Sequence, residues 1–256
     1  MIVPGFNHRF PKEGEDDYLW SFADCQPRAD AGGHSRLDRK SLLIETCCTS
    51  LDEARAAQAR GADRIELCTD LSRGGFTPPR ELNRDVVKAL TIPVNVLIRP
   101  STRESSAEGF GFSGEDFVYD ESDLAQMVDD IEYCKTVGAA GIVVGALTPD
   151  GAIDVPSMRL LVAAAAPLPV TFHRAFDVCT ENPYTALDKI ISLGCARLLS
   201  SGQARTAWEG RNVLRLLVRR AAARLIVMPG CGVNSVNLAD LAAATSATEF
   251  HGTKLP

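Results

Sequence analysis

Much of what this 256-residue chain could do is excluded by what it lacks. Basic residues are outnumbered, 27 to 33, leaving a net charge of -6 with no long Lys/Arg run, which argues against a nucleic-acid partner. No stretch reaches membrane-spanning length without a charge or a turn, so a membrane partner is not expected either. Residues 1–40 hold no apolar run of signal-peptide length, and Glu13, Glu15, Asp16 and Asp17 are unlike a transit peptide; a cytoplasmic protein is predicted. The 8 cysteines form neither a C-x-x-C pair nor a small secreted framework, so they are expected as thiols. A Gly-x-Gly-x-x-Gly turn after the first expected strand, a His-Glu-x-x-His helix and a Gly-x-Ser-x-Gly elbow are all missing. Only Lys254 lies near the carboxyl end of an expected strand, which leaves a Schiff-base aldolase little to work with.

What is present is an alternation of strand and helix signals. Short apolar runs at 42–47, 63–68, 93–100, 141–147, 169–173, 197–201, 225–228 and 248–251 predict eight strands. Between them lie seven amphipathic or capped segments, at 50–61, 81–90, 121–137, 155–166, 183–193, 206–222 and 235–244. That spacing predicts βαβ units and a TIM (β/α)8-type barrel that lacks its final helix, with an open doubly wound sheet as the alternative. The barrel is expected over residues 41–256, with 1–40 an unassigned extension in which Trp20 and Phe22 could act as a tether. The Gly-rich stretch 101–119 is expected to be a loop of lid or binding type. Without a closing helix, Ile44 and Phe250 are expected to be under-covered, with the Trp20 segment or a second copy of the chain, a homo-oligomer, in its place.

Period two sorts the strand residues. Ile44, Ile65, Leu67, Val94, Val96, Ile98, Val170, Phe172 and Phe250 belong on the helix-facing side. The lumen then receives Glu45, Cys47, Glu66, Cys68, Asn95, Arg99, Thr171, His173, Met228, Glu249 and His251. Buried carboxylates need partners, so Glu45, Glu66 and Glu249 are expected to meet Arg99, a histidine or water. A polar layer that only laces the barrel would account for any one of these residues. Convergence of the whole set at strand ends points instead to a site.

Two chemistries suit this set. In one, Arg99 and Arg174 hold a small anionic ligand while His173 or Glu66 moves a proton, which makes Glu66, Arg99 and His173 candidate catalytic residues. Glu45, Arg174, Asp177, Ser201, Gly230 and His251 are candidate binding residues. The loops 74–75, 200–202 and 229–232 could offer backbone N–H groups to an anion. In the other, Cys47 and Cys68, each two residues beyond an inward Glu on consecutive strands, bring soft thiolates to one level, with Met228 a third ligand for Cu(I). Nearby Arg99 or His173 should lower the thiol pKa values. Zinc should compete poorly for want of a fourth strong ligand. An interaction scaffold without ligand chemistry, with an apolar barrel mouth, is a third reading.

Eight segments carry a family resemblance. Ile-Glu-Thr-Cys (44–47), Gly-Ala-Asp-Arg-Ile-Glu-Leu-Cys (61–68), Gly-Gly-Phe-Thr-Pro (74–78) and Ile-Arg-Pro (98–100) are followed by Gly-Ala-Leu-Thr-Pro-Asp-Gly (145–151) and Pro-Val-Thr-Phe-His-Arg-Ala-Phe-Asp (169–177). Met-Pro-Gly (228–230) and Ala-Thr-Glu-Phe-His (247–251) complete a pattern that resembles the CutC copper homeostasis proteins. The resemblance implies a TIM barrel, a cytoplasmic location, copper handling, and Cu(I) ligation by the thiols at Cys47 and Cys68. Cys231 stands where that family usually has glycine, so a positive φ there would be strained.

Overall fold

The structure, a computed structural model, describes residues 42–100, 112–253 and 255. The expectations for residues 1–40 and for most of the loop at 101–119 therefore lie outside the described residues. Eight strands alternate with seven α-helices: β1 (Leu43–Cys48), α1 (Leu51–Ala59), β2 (Arg64–Leu67), α2 (Arg80–Ala89), β3 (Val94–Leu97), α3 (Glu121–Val137), β4 (Gly141–Val144), α4 (Val155–Ala165), β5 (Val170–Phe172), α5 (Pro183–Ser192), β6 (Arg197–Ser200), α6 (Arg211–Ala221), β7 (Ile226–Pro229), α7 (Leu238–Thr245) and β8 (Glu249–Gly252). Every ladder is parallel, in the order β7-β6-β5-β4-β3-β2-β1-β8. The ends of that order, β7 and β8, lie side by side without a ladder among the described residues, so the sheet is a nearly closed TIM-type barrel.

Local chemistry explains the helix ends. Ser50 caps α1 by accepting from Glu53 N, and Asp120 and Asp123 form a reciprocal capping box on α3. Gly138 ends α3 at φ +85, a conformation that costs glycine little. The α6 segment begins later than its periodicity suggests, because 206–210 is a turn and the helix opens only at Arg211.

The strands separate two interiors. Ile44, Ile65, Leu67, Val96, Ile142, Phe172, Leu198 and Phe250 pack outward against helix residues such as Val86, Ile131, Leu161 and Leu217 in one continuous core. Inside the barrel, Cys47, Cys68, Leu97 and Val143 form a separate small cluster. Ile44 and Phe250 are fully buried in the single chain, and Leu255 belongs to the same core.

Beneath that inner cluster lies a layer of charge. Arg64 donates from Nε to Glu45 and from Nη2 to Glu249 at 2.8 Å, and Arg197 Nε also reaches Glu249 at 2.8 Å. Asn95 Nδ2 donates to Glu45 at 2.9 Å. Glu45 is thus held through Oε2 by Arg64 and Asn95, and Glu249 by Arg64 and Arg197, with none of these bonds from Arg99 or a histidine as the sequence suggests. Strand parity alone could have placed Arg64 inward, since it precedes Glu66 by two residues. Burial works against Glu249 as a carboxylate, but the bonds from Arg64 and Arg197 outweigh it and its pKa falls. Gly141 makes this layer possible: a Cβ there would sit 2.5 Å from Asn95 Oδ1.

Candidate functional site

A cleft of about 490 Å³ opens at the carboxyl ends of the strands, where barrel sites are built. Its walls include Cys47 of β1, Glu66 of β2, Leu97 of β3, Arg99 just beyond it, His173 and Arg174 after β5, and His251 of β8. Six candidate residues therefore meet in one place: Cys47, Glu66, Arg99, His173, Arg174 and His251.

The β8-β1-β2 wall carries the soft and titratable groups. Cys47 Sγ lies 3.3 Å from Cys68 Sγ and 4.0 Å from Glu66 Oε1. His251 Nε2 stands 3.4 Å from Glu66 Oε2, an ion-pair distance, with its side chain 12% exposed. One donor atom each from Cys47, Glu66 and His251 lies within 4.8 Å of the others. The hydrogen bond with Cys68, burial, and the negative charge of Glu66 push the Cys47 thiol well above its ordinary pKa. The expected lowering by Arg99 or His173 is thus reversed at Cys47, chiefly by the Cys68 hydrogen bond and burial. Burial opposes protonation of His251, but Glu66 overcomes it through charge and hydrogen bonding, so that pKa rises. Met228 does not join the thiols: its sulfur accepts from Arg64 Nη2 at 3.5 Å in the charged layer.

The β3-β5 wall is cationic. Arg99 Nη1 donates to the carbonyls of Arg73 and Gly75 at 3.2 and 2.9 Å, and its guanidinium lies over the rings of Phe76 and Phe117. Arg174 donates from Nε to Asp177 at 2.9 Å and stacks on Phe112. The His173 ring packs on Phe117, with centroids 4.9 Å apart, and its Nδ1 accepts from Ala175 N. Burial first, and the Arg99 charge second, hold the His173 pKa down to about 3. A neutral imidazole of this kind donates a hydrogen bond but carries no proton back and forth near neutrality, which does not suit the proton-moving role expected of His173.

Other candidates lie outside the cleft walls. Glu45 belongs to the charged layer below. Asp177 is buried and accepts from Ser200 Oγ at 2.6 Å, from Ser201 N at 3.0 Å and from Gln203 N at 3.2 Å. The backbone groups of the 200–202 loop expected for an external anion are thereby spent: Ser201 N serves this internal carboxylate and Gly202 N serves Ser200 Oγ. Likewise Gly74 N and Gly75 N donate to the carbonyls of Leu71 and Asp70, and Gly230 N to that of Ser200. Cys231 lines the cleft with φ +74, the positive value expected to be strained for a non-glycine residue. Seven cysteines are described, and all of them are free thiols.

Fold and site together define a (β/α)8 barrel whose lumen ends in a thiol, carboxylate and imidazole wall facing a cationic one. The CutC family model matches residues 42–255, and the chain belongs to the CutC family. A CutC family protein of Parabacteroides distasonis is 46% identical over 211 residues, covering 82% of this chain and 81% of the relative. One from Histophilus somni is 44% identical over 208 residues, covering 81% and 80%. Among solved structures, a CutC protein of Streptococcus agalactiae, named for copper homeostasis, superposes with a TM-score of 0.74 at 30% identity, covering 83% of this chain and 99% of its own. A phosphoenolpyruvate phosphomutase of Streptomyces platensis, at 14% identity and a TM-score of 0.53 over 82% of this chain and 75% of its own, shares the barrel fold alone. No helix among the described residues is long and apolar enough to cross a membrane.

Proposed function

We propose that this protein binds Cu(I) in the cytoplasm through Cys47 and Cys68 and contributes to copper tolerance or trafficking, the ion being its cargo. The observation that carries the reading is the pair of sulfurs 3.3 Å apart in the lumen, with Glu66 and His251 beside the same thiol. Thiolates are the soft donors that favour Cu(I), and an imidazole completes a three-donor set. Glu66 and His251 also bring the donors near Cys47 and Cys68 to four, so ligand number no longer disfavours zinc as the sequence suggests; only donor softness favours copper. Free thiols throughout the described residues agree with a reducing compartment.

The test is anaerobic titration of the reduced protein with Cu(I) against a colorimetric chelator. Cys47→Ser and Cys68→Ser should each weaken binding about a hundredfold or more, while Cys134→Ser, on α3 and outside the cleft, leaves it unchanged. Undiminished affinity in the Cys47→Ser, Cys68→Ser double variant would remove the assignment. The Glu66–His251 pair favours a second reading, a barrel enzyme acting on a small anionic metabolite by acid/base chemistry. There His251 holds a proton that Glu66 stabilises.

A further inference from the structure

Two groups in the cleft have no use in copper binding. Arg99 is 2% exposed, and its Nε has no hydrogen-bond partner. Its Nη1 is tied to two carbonyls, and Nη2 is 3.8 Å from Asp116 Oδ1, beyond hydrogen-bond reach. Backbone, aromatic rings and the long ion pair with Asp116 hold this guanidinium in place, but its Nε–H donor is left unused. Buried donors in proteins ordinarily have a hydrogen-bond partner.

His173 is 5% exposed and has the same deficit. Because Nδ1 accepts from Ala175 N, the neutral ring carries its proton on Nε2, and that donor also lacks a partner. Gly145 keeps the ring where it is: a Cβ there would meet Nδ1 at 2.6 Å. Two preorganised donors therefore stand in one wall of the cleft, both shielded from bulk water, and the only thing missing is an acceptor.

We propose that the cleft binds a small carboxylate-bearing molecule whose carboxylate oxygens accept from Arg99 Nε–H and His173 Nε2–H. Carboxylate is favoured over phosphate by the count and kind of donors. A guanidinium edge and one imidazole N–H suit two in-plane oxygens, whereas a phosphate wants a nest of backbone N–H groups. Those groups in the 74–75 and 200–202 loops already serve Asp70, Leu71, Asp177 and Ser200. The bound molecule would face Cys47, Glu66 and His251 across the cleft, next to the pair that can exchange a proton. The inference goes beyond copper binding and does not rest on it; it supplies the ligand class for the enzyme reading.

The test uses the full chain, reduced and free of copper, with oxalate and inorganic phosphate as probes in isothermal titration calorimetry. Oxalate should bind and phosphate should bind more weakly. Arg99→Lys, which keeps the charge and removes the fork, and His173→Ala should each weaken oxalate about tenfold or more. Absence of oxalate binding at millimolar concentration, phosphate binding as tightly as oxalate, or unchanged affinity in both variants would overturn the proposal. Should a variant fail to fold, the imidazole nitrogen resonances of His173 in the unaltered protein decide. Oxalate should shift the Nε2–H signal, and an unmoved signal counts against the site.

Discussion

Gly145 leaves the imidazole of His173 so little room that a methyl group at that position would lie 2.6 Å from Nδ1. With Gly141 against Asn95, it makes β4 and its exit a source of space for neighbouring side chains rather than of chemistry. Gly145→Ala must push the ring aside or bend the strand end. The expected cost is about 1–3 kcal/mol by chemical denaturation, as for other overpacked interiors, together with the loss of oxalate binding. A variant as stable as the parent, with oxalate affinity intact, would show that the ring has freedom to move.

The charged layer should be intolerant of losing its centre. Arg64→Ala removes the bonds that hold both Glu45 and Glu249, leaving buried carboxylates with Asn95 and Arg197 alone. Destabilisation of about 3–5 kcal/mol is expected in urea unfolding, with Arg64→Met less harmful than a cavity but still costly. An effect below about 1 kcal/mol would mean that water or Arg197 takes over.

Acid should weaken the barrel through Glu249. Its folded pKa is depressed below the ordinary 4.5, so its contribution is present above that value and is lost as pH falls through the lower folded value. The parent protein should therefore lose stability as the solution is acidified below about pH 5, and Glu249→Gln should lose less over the same interval. Parallel stability curves for the two proteins would contradict this origin.

Copper binding should strengthen with pH. The Cys47 thiol holds its proton well above the ordinary thiol range, so the ion must displace that proton near neutrality. Apparent Cu(I) affinity should rise about tenfold per pH unit for each proton released, measured between pH 6 and 8. A flat profile would mean that the sulfur is ionised before the metal arrives.

The barrel itself was legible because its signal is repetitive: each strand marks its buried outer face with Val, Ile, Leu or Phe, and four of the helices announce their start with a capping side chain, from Ser50, Asp120, Asp154 and Asn182. Parity also put Cys47, Glu66, Arg99, His173 and His251 on the lumen side. What parity does not carry is depth along the barrel axis. Glu45 and Glu66 share a face, yet one is locked in the charged layer and the other lines the cleft. Nor does sequence tell whether a loop's N–H groups are free. Asp177 consumes those of Ser201 and Gln203 from more than twenty positions away, and only the folded chain brings it there. The direction of the Cys47 pKa is hidden in the same way, since it depends first on the hydrogen bond with Cys68 and on burial, which only the folded chain brings about.

The charged layer under the inner cluster has a consequence for traffic. Glu45, Arg64, Asn95 and Glu249 are all buried and linked through Arg64 and Glu45, so they form a bonded layer beneath the cleft. If the thiols hold an ion and Arg99 and His173 an anion, as proposed, both would be reached through the mouth lined by Ser72, Cys231 and Thr253. Occupancy by one would then bear directly on access for the other, so the two binding events should be coupled.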